Sequence, residues 1–370
     1  MRHVYVHVPF CARRCSYCDF AIAVRRNVPV ADYLAALQGE LFARFHASDS
    51  ETVDTIYFGG GTPSLLGGEG IARALDIVQA RFPVAASAEI TIEANPDDVT
   101  PIAVAAWRAA GVNRMSLGAQ TFDDDVLAWM HRSHDSGMIA RAVGVARDGG
   151  ITNLSLDLIF ALPEALARDF GLDVERLLDF EPDHISLYGL TVEHGTALGK
   201  WVSSGLTVEH TDEGYEREFL TAHRLLADAG FEHYEVSNYA RPGRRARHNS
   251  AYWSGAAYVG LGPSAHGFDG SSRRWNARNY PAWAEVAAKG LDPIEGSELL
   301  TPENRLAESV YLGMRSDAGL MTTADDLPLI GAWLDAGWVI LGTDGHMRCT
   351  AVGWLRLDAL ATALTHHRSR

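Results

Sequence analysis

Three of the four cysteines, Cys11, Cys15 and Cys18, fall within the single stretch HVPFCARRCSYCDF. A C-x3-C-x2-C loop can give one thiolate to each of three irons in a small cluster. A cysteine-held iron-sulfur cluster normally has four such ligands, so the missing one implies an iron with an open coordination position, where chemistry can take place. A structural zinc would need a fourth ligand, for which His7 is nearest, but no second cysteine pair of zinc-ribbon spacing follows. Three clustered cysteines cannot all pair as disulfides, and Cys349, far along the chain, reads as a packed thiol.

Such a loop needs a scaffold that delivers it. The alternating run 4–8 reads as a strand leading straight into the cysteines. Asp32 is expected to cap a helix whose apolar face is Leu34, Leu37, Leu41 and Phe45, at spacings of three and four. Further strands are expected at 53–58, 89–94, 113–117, 153–160 and 184–190, with helix-length segments between them. One of those helices carries both end signals, Thr100-Pro101 at its start and Gly111 at its end. Six strand-then-helix repeats imply a parallel sheet, because parallel neighbours need a crossover of about a dozen residues or more. Eight such units close a barrel, and six leave its side open. The expected fold class is therefore α/β, a partial (β/α)6 TIM-type barrel.

The other residues with chemical potential sit where these strands end. Gly59-Gly60-Gly61-Thr62-Pro63 follows the second strand, and three glycines in a row let a ligand approach the main-chain amides, although a tight turn explains them equally. Glu93, Asn95 and Pro96 end the third strand, and Gly118, Ala119, Gln120 and Thr121 end the fourth, with Arg132 expected on the next helix. Thr191 and Glu193 follow the sixth strand. Asp157 interrupts an apolar run in the fifth, and a carboxylate there has to be paired, hydrogen-bonded or facing a polar cavity. Barrel active sites are assembled at this C-terminal face.

Taken in order, HVPFCARRCSYCDF, FGGGTPSLL, IEANP, SLGAQTF, DLIFALP, HISLYGLT, YEVSNYARPG, RHNSAYW and LGPSAHGF resemble the motifs of radical S-adenosylmethionine (SAM) enzymes. Within that class they resemble the oxygen-independent coproporphyrinogen III oxidase-like family. The resemblance implies a [4Fe-4S] cluster on Cys11, Cys15 and Cys18, with its open iron chelated by the amino and carboxylate groups of SAM. It also implies cleavage of SAM to methionine and a 5′-deoxyadenosyl radical, the protein's part being binding, orientation and exclusion of water and oxygen. Carried over residue by residue, Tyr5, Gly60, Glu93 and the cluster cysteines resemble the first SAM site. Gly61, Thr62, Gln120, Arg132 and Asp157 resemble the positions that hold a second SAM in the oxidases. Asp157 would suit a ribose hydroxyl there and Arg132 a carboxylate.

Two features separate the chain from the oxidases: Phe20 stands where they carry a fourth cysteine, and no long extension precedes the first strand. Instead, His248, Asn249, Tyr252 and Trp253 form HNxxYW, which resembles the heme-chaperone branch, whose members bind heme and deliver it to respiratory heme proteins. That branch implies heme as cargo, recipient hemoproteins as partners and no coproporphyrinogen oxidase activity. An imidazole can ligate heme iron while Tyr252 and Trp253 offer flat faces to the macrocycle. The plainer alternative is an aromatic turn in which His248 only bonds its neighbours. His266 is a second candidate, expected in a glycine-rich loop over the open barrel side. Oxidative decarboxylation of porphyrinogen propionates is the rival reading, and an iron-sulfur protein without SAM chemistry is the third.

Composition bounds the partners. Lysine and arginine number 32 against 47 aspartates and glutamates, a net charge of −15 that opposes a large phosphate-neutralising surface and argues against nucleic acid. No apolar run approaches the roughly 18 residues of a membrane span and no signal-peptide pattern opens the chain, so a cytoplasmic location is expected, with peripheral membrane contact and oligomeric state left open. The basic cluster PGRRAR, 242–247, reads as a solvated loop that would also suit heme propionates. The expected division is a barrel domain at 1–238, a connecting segment with HNxxYW at 239–300, and a C-terminal helical and hairpin domain at 301–370. The last, with helices at 304–315 and 325–336, a hairpin around Thr343-Asp344-Gly345 and a final helix to about Leu364, resembles a winged helix. Without a basic stripe it is expected to serve as a substrate cover or docking surface.

Overall fold

The computed structural model describes residues 1–45 and 51–370. Its frame is six parallel strands: β1 (His3–Val8), β2 (Val53–Gly60), β3 (Val84–Ala94), β4 (Arg114–Gln120), β5 (Asn153–Phe160) and β6 (His184–Gly189), paired in chain order. The register sets His3 opposite Thr55, Thr91 opposite Arg114 and Asp157 opposite Ser186. The period of two then divides each strand. Outward residues such as Val4, Val6, Ile56, Phe58, Ile92, Met115, Leu117, Leu156 and Ile185 are buried beneath the surrounding helices and form the main core. The alternate positions on β1 to β6 are polar. Thr55, Thr91, Arg114, Ser155 and His184 are all nearly inaccessible to solvent, so this barrel has a polar lumen in place of the usual aliphatic filling. Hydrogen bonds offset the burial: Thr55 Oγ1 lies 2.9 Å from His3 Nδ1, and His184 bridges Ser155 Oγ and Tyr234 OH, each at 2.8 Å.

The sheet is longer than six strands. Tyr258–Leu261 runs parallel to β1 as a seventh, followed outward by the antiparallel strands His266–Phe268, Ser272–Asn276 and Ile294–Leu299. On the other edge, Asn238–Ala240 and Glu232–Glu235 continue antiparallel from β6. Residues 239–300 thus supply strands to both edges of the sheet. His266 begins a strand there, stacked on Trp275 at 6.0 Å, and does not lie in a loop over the open side. Gly260 explains how the chain doubles back: a Cβ there would meet the His266 carbonyl at 1.8 Å.

The first helix is Val30–Arg44 with Pro29 as N-cap, so Asp32 sits inside the first turn, facing the helix dipole, and is not the cap. Thr100 does cap Pro101–Ala110, accepting from Ala103 N at 3.2 Å, and Gly111 closes that helix with φ 108°. Deep on the inner face of the first helix, Glu40 accepts from Trp283 Nε1 at 2.8 Å, Asn276 Nδ2 at 2.6 Å and Gly262 N at 2.8 Å, and pairs with Arg44. One buried carboxylate therefore fastens 262–283 to the barrel wall. The C-terminal unit contains helices Pro302–Arg315, Leu327–Asp335 and Leu357–Arg368 around a three-stranded sheet whose hairpin pairs Val339–Leu341 with His346–Cys349. It is seated on the barrel through Arg245, which pairs with Glu232 and Asp317, and through Trp354, whose ring lies 4.0 Å from that of His233.

Candidate functional site

The chain leaves β1 into the cysteine loop, which is clamped at both ends. Ala23 N donates to Pro9 O at 2.7 Å and Arg25 N to Cys11 O at 3.0 Å. At the far end Ser16 N donates to Met130 O at 3.1 Å, and Ser16 O accepts from Leu198 N at 2.8 Å. All three cysteines line one cavity of about 410 Å³ at the C-terminal ends of the strands. Burial pushes the Cys11 thiol up to about 11 and the Cys18 thiol upward as well, so these thiols are neutral at pH 7 until a cation takes the proton's place. Among the described residues no trio of His, Cys, Asp or Glu converges on the point where a single ion would sit. Three thiols lining one cavity are the donor set that a multi-iron cluster with three protein ligands would take.

Opposite the loop stands the glycine turn. Gly60 has φ 113° and a Cβ on it would strike the His7 ring at 2.5 Å, while one on Gly61 would strike Phe10 O at 2.7 Å. The glycines are thus required first by β1 and the chain leaving it, whose Val8 O accepts from Gly61 N at 2.8 Å, and both glycines line the cavity. Gly60 N donates to Glu93 Oε2 at 3.0 Å and Tyr57 OH donates to Glu93 Oε1 at 2.8 Å. Burial nevertheless raises Glu93 to about 7. Since the ordinary value is 4.5, the folded chain keeps this proton where the unfolded chain has lost it. The stabilising contribution is full below about 4.5 and is lost as pH rises through about 7. In ligand-free protein, Glu93→Gln is expected to remove that slope. Unfolding free energies measured from pH 5 to 8 should differ between wild type and variant by a pH-dependent amount, and parallel curves would show that Glu93 does not hold the proton.

The far wall is built on Arg132. It lies in the turn between the helices Asp124–Trp129 and Ser136–Asp148, not on a helix, and reaches back to bond Asn95 Oδ1 at 2.7 Å, Gly118 O at 3.0 Å and Cys15 Sγ at 3.4 Å. Asp157 accepts from Ser116 Oγ at 3.0 Å and is raised by burial. Among the described residues, Gln120 Oε1 and Arg132 Nε are buried on this wall without hydrogen-bond partners, so a ligand's polar groups would find them free. Gly60, Gly61, Thr62, Glu93, Gln120, Arg132, Asp157 and Thr191 therefore line the same cavity as the cysteines. Tyr5 lies deeper, its OH 3.1 Å from His7 Nδ1. Tyr57, Ser116 and His131 were not singled out from the sequence. The alternation counted back by two from Gly59 and Gly118 signals the first two, and nothing in the pattern signals His131.

HNxxYW sits at the other end of the barrel. The helix Arg247–Trp253 plugs the floor, its Arg247 N and His248 N each donating to Glu89 at 3.0 Å. Both ring nitrogens of His248 are engaged, Nδ1 with Thr55 Oγ1 at 2.7 Å and Nε2 with Tyr252 OH at 2.9 Å, and burial lowers its pKa to about 3. An axial bond from His248 to iron would require breaking one of these. Asn249 Nδ2 donates to Tyr234 OH at 3.4 Å, and Trp253 lies beneath the Arg315 guanidinium. The arginines of PGRRAR are also occupied: Arg244 pairs with Asp183, Arg245 with Glu232 and Asp317, and Arg247 Nη1 donates to Ser87 O. They form a bonded floor, not a free basic loop.

Residues 5–177 match the Radical SAM superfamily model. The heme chaperone HemW of Mycobacterium tuberculosis (strain H37Rv) is 42% identical over 320 residues, covering 86% of this chain and 82% of that protein. This chain belongs to the HemW family of radical SAM proteins. HemW of Bacillus subtilis is 33% identical over 322 residues, covering 86% and 85%, and HemW of Escherichia coli is 38% identical over 265 residues, covering 71% and 69%. The solved structure of coproporphyrinogen III oxidase (HemN) from Escherichia coli, a radical SAM enzyme, superposes with a TM-score of 0.83 over 98% of this chain and 89% of its own. At 23% identity it shows a shared fold, consistent with the partial barrel expected from six repeats. Membership of the radical SAM superfamily implies a [4Fe-4S] cluster and SAM. No helix among the described residues is long and apolar enough to cross a membrane.

Proposed function

We propose that this chain is a cytoplasmic heme chaperone built on a radical SAM frame, binding a [4Fe-4S] cluster through Cys11, Cys15 and Cys18, together with SAM, and passing heme to recipient hemoproteins. The observation that carries this reading is the convergence of the three thiols, the glycine turn, Glu93 and the Arg132–Asp157 wall on one cavity. The cluster, when bound, supplies an open iron and an electron. The chain's own residues do the rest. Glu93, raised to about 7, ionises readily when a ligand's ammonium group approaches, and the Gly60 and Gly61 backbone lets that group come close. Gln120 Oε1 and Arg132 Nε are spare hydrogen-bonding atoms for the ligand's polar end, and Asp157 is placed to accept from a hydroxyl. The heme part of the proposal is supported by the relatives named heme chaperones at 33–42% identity.

Heme transfer tests it. Protein loaded with heme under anaerobic conditions is mixed with an apo-hemoprotein, and the reading expects heme to leave the first and appear in the second at a rate above that from free heme. Conversion of coproporphyrinogen III to a vinyl product by the reconstituted protein with SAM would replace the chaperone reading with the oxidase one.

A further inference from the structure

Two strands that feed the cavity end in a backbone conformation that residues other than glycine seldom adopt: Gln120, the last residue of β4, has φ 70°, and Ala161, just past β5, has φ 59°. At Gln120 the chain turns within three residues, closed by Thr121 N donating to Ala119 O at 2.9 Å. With a positive φ at its centre, this is the rare and strained form of that turn. Such strain persists only where the surroundings over-determine it, and it clusters at functional positions. Gln120 lines the cavity, and its amide lies over Gly118 beside Arg132: a Cβ on Gly118 would meet Gln120 Nε2 at 2.9 Å and Arg132 Nη2 at 3.1 Å.

What holds this exit is a buried ion cluster that does not itself line the cavity. Asp173, in the first turn of the helix Phe170–Asp179, accepts from Thr121 Oγ1 at 2.6 Å and from Phe122 N at 2.8 Å. Its Oδ2 also accepts from Arg168 Nη1 at 3.3 Å, and the two side chains are each only 4% exposed. Arg168 donates in turn to Ile159 O at 2.7 Å and to Glu218 Oε2 at 3.1 Å, and Glu218 Oε2 accepts from Ala161 N at 2.7 Å. Burying charges is a costly way to hold a fold, because apolar side chains of similar volume often serve as well. The backbone groups bonded here, Phe122 N, Ile159 O and Ala161 N, all lie where β4 and β5 end, next to the residues that face the cavity.

We propose that Asp173, steadied by Arg168, is a positioning residue for ligand binding: it fixes the strained exit of β4 so that the Gln120 amide stays on the cavity wall beside Arg132. This rests on the SAM-binding reading above, in which Gln120 meets the ligand's polar end.

Equilibrium SAM binding to anaerobically reconstituted protein tests it, measured calorimetrically on wild type, Asp173→Asn, Gln120→Ala and the double variant. Asn can still accept from Phe122 N but cannot also hold both Thr121 and Arg168. In Asp173→Asn, iron and sulfide per chain are expected to stay at the wild-type level while SAM affinity falls by about three- to tenfold, the size of one lost hydrogen bond. Gln120→Ala is expected to lose a similar amount. Adding Asp173→Asn to it should cost less than about twofold more, because no amide is left to place. Should Asp173→Asn fold poorly, Thr121→Val removes one bond of the same cluster and is expected to give the same pattern. Wild-type SAM affinity in Asp173→Asn or in Gln120→Ala, or losses that simply add in the double variant, overturns the positioning role while the SAM reading stands. Wild type that takes up the cluster and binds no SAM removes both.

Discussion

A Cys18→Ala chain, reconstituted with iron and sulfide without oxygen, is expected to retain no [4Fe-4S] cluster and to lose SAM binding with it. The same holds for Cys11→Ala and Cys15→Ala. The three thiols share one clamped loop and one cavity, so removing any of them leaves two ligands for a cube that needs three. Burial makes the effect steep, because thiols raised as Cys11 and Cys18 are become thiolates only when iron takes the proton's place. The matched control is Cys349→Ala, buried in the C-terminal hairpin away from the cavity, which is expected to keep the full iron content. Iron and acid-labile sulfide per chain measure all four variants. Full cluster content in any of the three loop variants would remove that cysteine from the ligand set.

Glu40→Ala is expected to cost about 3–5 kcal/mol of unfolding free energy, among the largest effects of any single change in the chain. The carboxylate is completely buried and satisfies Trp283 Nε1, Asn276 Nδ2, Gly262 N and Arg44 at once. Alanine strands three donors and a guanidinium in the core. Denaturant unfolding of wild type and variant gives the difference directly, and a loss under about 1 kcal/mol would mean water or local rearrangement replaces the carboxylate. Because this node fastens 262–283 beside β1, the variant is also expected to loosen the strand Tyr258–Leu261 first, which amide exchange on Val259 and Leu261 would report.

What could be read from the sequence follows the strength of its periodic signals. The six strands and the residues at their ends are legible because long strands alternate and end in glycine, proline or polar residues, which puts Glu93, Gln120 and Asp157 on one face. The strands Tyr258–Leu261, Asn238–Ala240 and His266–Phe268 are three or four residues long, too short to carry a period that the sequence could show. Arg132 reads as helical because Asp124–Trp129 and Ser136–Asp148 run close together, and the break between them is a turn held by Asn95, just past β3, and Gly118 on β4. For His248 the motif leaves two readings, a heme ligand or a histidine bonded to its neighbours, because a motif shows residue types and not hydrogen bonds; at the floor of the barrel both ring nitrogens are bonded. His131 escaped notice because its distinguishing features, a positive φ and an unpartnered ring, exist only in three dimensions.

The most direct test of the central claim is spectroscopy of the reduced, reconstituted protein before and after SAM is added. If three cysteines hold a cube with one iron left open, iron analysis gives four irons per chain, and SAM changes the electron paramagnetic resonance signal and the Mössbauer parameters of one iron site. Zinc in place of iron, or a cluster whose spectra do not respond to SAM, would contradict it.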